Sequence, residues 1–216
     1  MTGMDSAQAA RTAERPETHA SAGQETRLVL ARHGETEWSR SGQHTGRTDI
    51  PLTELGREQA RRLGTALRGR AFSRVLASPL SRAAETARLA GFADRTELDG
   101  DLQEWDYGVY EGRRRVDIDR DEPGWTVWSR PIRGGESLRA LGARADRVIE
   151  RLLPTGGDVL LFSHGHFLRV LAARWIEQPP RTASRLELAT ATISELGWET
   201  DRRVIEIWNA AGHLAD

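Results

Sequence analysis

The 216-residue chain contains no cysteine, which excludes disulfides, thiolate nucleophiles, CxxC redox pairs and cysteine-ligated zinc or iron–sulfur centres. It contains no lysine either: all 31 Lys+Arg residues are arginine. That excludes Schiff-base chemistry on a lysine, a pyridoxal phosphate anchor and the lysine of a phosphate-binding P-loop. Phosphate, if it is handled at all, must be met by arginine, histidine and backbone N–H groups. Apolar stretches such as Val159-Leu160-Leu161-Phe162 are short, and none approaches the eighteen residues of a membrane helix. Charge of either sign is lacking in net terms, at -1 overall. No global field draws the chain to nucleic acid or an anionic membrane, so neither is expected as a partner and anion recognition must be local.

What is present suffices for one core: 38% of the residues are hydrophobic and 29% charged. Residues 1–25 are rich in Ala, Thr, Glu, Gln and Arg, carry Pro16 and have no apolar segment of the kind a signal peptide needs. They are expected to form a disordered tail, followed by a single domain over 26–216, with a cytoplasmic location.

From Arg27 the pattern changes. Arg27-Leu28-Val29-Leu30-Ala31 reads as a buried strand feeding a polar, glycine-bearing loop over 32–52. Thr53 can cap a helix with Leu55, Ala60, Leu63 and Leu67 on its apolar side and Gly69 beyond its end. Val75-Leu76-Ala77 reads as a second strand, Ser78-Pro79 as punctuation, and 80–89 as a helix followed by Gly91. Residues 99–135 suggest a long ordered loop with short helical pieces. Leu138, Leu141, Ala145, Val148 and Leu152 mark a helix, 158–162 a strand, and 167–176 another helix. Alternation over 190–198 and 204–208 predicts an antiparallel hairpin. The fold class expected is α/β: a three-layer α/β/α sandwich with a mixed, mostly parallel sheet and a C-terminal hairpin.

Two predicted strands end in histidine followed by glycine, at Arg32-His33-Gly34 and at Ser163-His164-Gly165-His166. Residues just past the carboxyl ends of strands line the ligand crevice of an open α/β sheet, so both histidines can meet there. The Ala77-Ser78-Pro79 end leads into a helix carrying Arg82 to the same rim. His33, His164, Arg32 and Arg82 together make a cationic pocket suited to a phosphoryl group. A neutral imidazole can attack phosphorus while arginines stabilise the transition state. The leaving group needs a proton and the following water a base. Glu104, in Leu102-Gln103-Glu104-Trp105-Asp106-Tyr107-Gly108, can supply both, among aromatic neighbours that tend to raise a carboxyl pKa; Asp106 is its competitor.

These blocks resemble the histidine phosphatase (phosphoglycerate mutase-like) superfamily: Arg32-His33-Gly34-Glu35-Thr36, then Ser78-Pro79-Leu80-Ser81-Arg82-Ala83 with Glu85-Thr86, then Leu102-Gln103-Glu104 running to Glu111-Gly112, then Ser163-His164-Gly165-His166. The resemblance spans about residues 27–208. It implies that His33 becomes a phosphohistidine, that Arg32, Arg82 and His164 hold the phosphate, and that Glu104 is the general acid. It further implies substrate contacts at Thr45, Gly46 and Tyr107; Gly165 is a further candidate contact, and His166 either touches substrate or packs behind the contacts at the helix start. Many members carry asparagine after the tryptophan of the first block; here Ser39 takes that place as a candidate contact. Residues 42–53, Glu104-Trp105-Asp106-Tyr107-Gly108, Trp125-Thr126-Val127-Trp128 and His164-Gly165-His166-Phe167-Leu168-Arg169 look most like the sedoheptulose-1,7-bisphosphatase clade.

The implied activity is hydrolysis of a small phosphorylated metabolite, a sugar phosphate or bisphosphate, without cofactor or metal. Phosphoglycerate mutase-type transfer and a non-catalytic phosphate-binding module are the alternatives. Arg113-Arg114-Arg115 either meets a second phosphate or is a solvated turn. Trp125 and Trp128 are expected as packing anchors rather than sugar platforms, and Glu35 and Glu111 as structural carboxylates. His44 lies beside the phosphate loop as a cover.

Overall fold

The computed structural model describes residues 25–215; the predicted tail falls outside them apart from Glu25. Six strands form one sheet in the order β3-β2-β4-β1-β5-β6. These are β1 (Arg27–Arg32), β2 (Arg74–Ala77), β3 (Thr96–Leu98), β4 (Asp158–Ser163), β5 (Ile193–Glu199) and β6 (Arg202–Ala210). Strands β3, β2, β4 and β1 run parallel, and β5 and β6 add an antiparallel hairpin beside β1.

Alternation along the central strands sorts their side chains onto two faces. Leu28, Leu30, Leu76, Val159 and Leu161 join one buried cluster with α5 (Leu138–Leu152) and α6 (Gly165–Trp175). Val29, Ala31, Val75, Ala77, Leu160 and Phe162 join the other, against α2 (Glu54–Ala66) and the segment after α3 (Ser81–Ala87). The result is the expected three-layer sandwich. The long segment 99–135, which includes the short α4 (Arg115–Asp121), packs Leu102, Trp105, Tyr107, Tyr110 and Trp125 into the first cluster. Among the described residues no helix is long and apolar enough to cross a membrane.

Three local expectations need correction. Leu55 is 54% exposed; the inward stripe of α2 runs Gly56, Ala60, Leu63, Leu67 instead. Gly56 takes the first inward place because the backbone of Glu35 lies where a Cβ would stand. The helix predicted over 80–89 is α-helical only from Ser81 to Ala87, then widens into a π-helical turn, Arg88–Phe92, around Gly91 at φ +90°. The edge strand β3 was not anticipated, because Thr96-Glu97-Leu98 has no buried alternation and Leu98 is 64% exposed.

Strand register assembles the site. Arg32 pairs with Ser163 and Ala77 with Phe162, so β1, β2 and β4 end level at one edge of the sheet. The next residues, His33, Ser78 and His164, are therefore neighbours. The His33 and Ser78 N–H groups continue the pairing by donating to the carbonyls of Ser163 and Phe162, both at 2.9 Å.

Candidate active site

A cavity of about 190 Å³ opens at this edge. His33 stands on its wall, almost fully buried. His33 Nδ1 lies 2.7 Å from the Gly34 carbonyl. A carbonyl oxygen only accepts, so in the neutral ring Nδ1 holds the proton and Nε2 holds the lone pair. Burial, with the charges of Arg82 and Arg32 adding to it, keeps the imidazole well below the usual histidine range and therefore neutral near pH 7.

Arg32 lines the same cavity. Its Nη1 donates to the Leu188 carbonyl at 2.6 Å, while its buried Nε has no protein partner. A buried guanidinium N–H left unmatched beside a cavity is what an anion would satisfy. Gly165, the first residue of α6, closes the wall so tightly that a Cβ there would lie 3.3 Å from the Arg32 guanidinium carbon.

Glu104 is buried and its carboxylate is held by three backbone N–H groups. Oε1 accepts from Trp105 at 2.9 Å and Phe167 at 2.8 Å, and Oε2 from His166 at 3.0 Å. Oε2 thus keeps the greater accepting capacity at the cavity wall. Two of the donors belong to the first turn of α6, whose free N–H groups and dipole favour a carboxylate. Behind the loop, buried Arg144 donates to the carbonyls of Asp101 (2.8 Å), Gln103 (2.5 Å) and Glu104 (3.3 Å) and pairs with Glu136 at 2.6 Å. Sequence reading missed Arg144, although one arginine on the apolar face of α5, between Leu141 and Val148, is a signal for a paired buried charge. Asp106 caps the turn at Gly108, with its Oδ1 accepting that N–H at 2.9 Å, and does not line the cavity.

Arg82 and His164 form a layer behind His33 rather than the cavity wall itself. The two histidine rings lie 5.2 Å apart. Arg82 Nε donates to His164 Nδ1 at 3.2 Å, and His164 Nε2 lies 2.8 Å from Ser78 Oγ. The remaining Arg82 nitrogens donate to the carbonyls of Thr48 (3.0 Å), Thr45 (3.3 Å) and Gly46 (2.9 Å). Burial, then Arg82, keeps His164 well below the usual histidine range.

The expected substrate contacts divide. Thr45, Tyr107, Gly165 and His166 line the cavity. Tyr107 Oη and His166 Nδ1 share a hydrogen bond of 2.5 Å. Burial, chiefly, pushes Tyr107 up and His166 down from their usual ranges, so both are neutral. Ser39 lines the cavity too, but its hydroxyl is committed to the capping box of the short α1 (Glu37–Ser41), accepting from Thr36 N–H at 2.9 Å and donating to the Thr36 carbonyl at 3.0 Å. Gly46 is a packing position: its N–H donates to Glu111 at 3.1 Å, and a Cβ would collide with that carboxylate and the Trp105 carbonyl. Glu111 also accepts from the N–H groups of Arg47, Thr48 and Tyr107, which is the structural part expected of it.

None of the arginine triplet lines the cavity. Arg113 pairs with Asp121 and Arg114 with Asp117 at 2.7 Å, which favours the solvated reading. Trp125 packs on Tyr110 at 4.5 Å and Trp128 on Trp105 at 5.3 Å, as anchors. Gln43, His44, Arg169 and Leu188 complete the cavity wall. Of these, His44 had been expected only as a cover. Arg169 enters the sequence reading only as the last residue of the His164–Arg169 block, without a role of its own, although its place four residues after Gly165 puts it on the same helix face.

The model of the histidine phosphatase superfamily, branch 1, matches residues 28–211. An acid phosphatase of Mycobacterium tuberculosis is 41% identical over 191 residues, covering 87% of this chain and 94% of the relative. The sedoheptulose 1,7-bisphosphatase of Saccharomyces cerevisiae is 35% identical over 182 residues, 69% of this chain and 67% of that one. The solved structure of an M. tuberculosis open reading frame product superposes with a TM-score of 0.82 at 40% identity, covering 87% of this chain and 99% of that one. The fold and its histidine-lined cavity are those of an α/β phosphoryl-handling enzyme. The chain belongs to the histidine phosphatase superfamily and is a phosphatase.

Proposed function

We propose that the protein hydrolyses small phosphorylated metabolites, sugar phosphates or bisphosphates, through a phosphohistidine at His33. The observation that carries this reading is the fixed Nε2 lone pair of a neutral His33, in one cavity with the unpartnered Arg32 Nε and the Glu104 carboxyl. In the first step Nε2 attacks phosphorus in line, the ester P–O bond breaks, and Glu104 gives its proton to the leaving oxygen. In the second, water attacks phosphorus, Glu104 takes the water proton, and the P–N bond breaks to release phosphate. Arg32 meets the equatorial oxygens from the cavity side. Arg82 and His164 support the same charge from behind His33 and hold its ring. The sugar bisphosphatase among the relatives supports the substrate class, and the acid phosphatase supports hydrolysis.

The test is phosphate release in EDTA from a panel of sugar phosphates, sugar bisphosphates, phosphoglycerates and nucleotides, with wild type and His33→Ala side by side. Release that survives chelation and falls at least about a thousandfold in the variant is expected. Equal release by both proteins, or none by wild type, overturns the reading.

A further inference from the structure

Arg144, near the middle of α5, is 5% exposed and uses every donor it has. Its Nε and Nη2 meet the two oxygens of the Glu136 carboxylate at 3.0 and 2.6 Å. Nη2 also donates to the Glu104 carbonyl at 3.3 Å, and Nη1 donates to the carbonyls of Asp101 and Gln103 at 2.8 and 2.5 Å. All the N–H groups of the guanidinium thus meet acceptors. Three of those acceptors lie on main chain that belongs to no strand and, from Gln103 on, to no helix.

That stretch carries Glu104. Glu136 is tied to its far side: the Glu136 N–H donates to the Asp106 carbonyl at 3.0 Å, and the Glu136 carbonyl accepts from Trp105 Nε1 at 2.8 Å. The Arg144 guanidinium also lies 4.8 Å over the ring of Phe167, whose N–H is one of the donors on Glu104 Oε1. One cation therefore fixes both the main chain from which the Glu104 side chain springs and a residue against which its carboxyl is aligned. Neither Arg144 nor Glu136 lines the cavity, so neither meets the substrate. A buried ion pair adds little stability over apolar packing of the same volume. What this pair adds is direction.

We propose that Arg144, held by Glu136, is a positioning residue for the acid step: it sets where the Glu104 carboxyl points while the phosphoryl group passes to His33. This rests on the phosphatase reading above, in which Glu104 protonates the leaving oxygen. A carboxyl displaced by a fraction of an ångström still lies in the pocket but no longer meets that oxygen in line, so proton transfer slows while substrate binding does not.

The test is single-turnover phosphorylation of His33 by two esters: the sugar phosphate that wild type turns over fastest, and 4-nitrophenyl phosphate, whose activated leaving group needs no proton. Arg144→Lys keeps the charge but has too few N–H groups for the same acceptors. It is expected to slow the sugar phosphate about tenfold and the aryl ester less than about twofold, with half-saturation unchanged. The same substitution made in Glu104→Gln, where the acid is already gone, should cost less than about twofold on either ester. No slowing, equal slowing of both esters, or a loss in Glu104→Gln as large as in wild type overturns the inference, the last two being what a merely structural arginine gives. If Arg144→Lys melts below the assay temperature, Glu136→Gln, of the same size with one acceptor fewer, goes through the same comparisons and decides: a loss of about threefold confined to the sugar phosphate supports the inference, and any other pattern overturns it. A Glu104→Gln that itself slows both esters equally removes the acid and the inference with it. Absence of phosphate release from wild type is the separate failure of the phosphatase reading.

Discussion

At the scale of single residues, the proton inventory of Glu104 is the most testable feature. Three N–H groups orient its carboxyl, and two of them fall on Oε1, so Oε2 is the oxygen suited to exchange a proton with the reacting group. Glu104→Gln keeps the size of the side chain and removes the exchangeable proton. It should slow hydrolysis of an alkyl phosphate, whose leaving oxygen needs protonation, by about a hundredfold or more. An aryl phosphate with an activated leaving group should lose far less in the phosphorylation step. Single-turnover kinetics on both esters check this, and equal losses would remove Glu104 from the role of acid. The position was legible in the sequence as a carboxylate in a characteristic block. Its N–H donors were not, since Phe167 and His166 lie about sixty residues away and meet it only through the fold.

The helix α6 shows the same limit at the scale of an element. Sequence reading starts it at 167, because glycine and histidine are weak helix formers. The structure starts it at Gly165 with no side-chain cap, since Glu104 takes the place of a capping residue from a distant loop. Gly165 itself is required for the close approach of Arg32 rather than for any unusual backbone angle. Gly165→Ala should therefore push the guanidinium off its line and lower kcat/KM about ten- to a hundredfold. Stability should stay within about 1 kcal/mol of wild type, because alanine is the better helix residue. Steady-state kinetics beside thermal melting separate the two effects.

For the whole molecule, the layers and the order of the catalytic blocks were readable from apolar runs and strand ends, as were Ala60, Leu63 and Leu67 on the inward face of α2, while the exposed edge strand β3 and the place of Gly56 rather than Leu55 on that face were not. Both depend on which side of an element the neighbours cover. The same burial that defines the core sets the response to acid. His33, His164 and His166 are held well below the usual histidine range, first by burial and then by arginine charge (for His166, that of Arg169), and His44 is lowered as well. The unfolded chain takes up protons at these histidines as pH falls through about 6.5, and the folded chain does not. Stability therefore rises with pH in that window and levels off above it, by up to about 1.4 kcal/mol per pH unit for each such histidine. Chemical denaturation at several values between pH 5 and 8 measures the slope; a flat profile would contradict it.

The segment from Thr45 to Thr48 has one more consequence. Its N–H groups converge on the Glu111 carboxylate and its carbonyls on the Arg82 guanidinium. An anion and a cation that do not pair with each other grip opposite edges of the same peptides, and Gly46 is further constrained by what it touches. The course of the loop is thereby written in main chain. The outward side chains of Arg47 and Thr48 are left as blank positions at which related enzymes, or an engineer, can rewrite the surface beside the phosphate layer without redrawing the backbone.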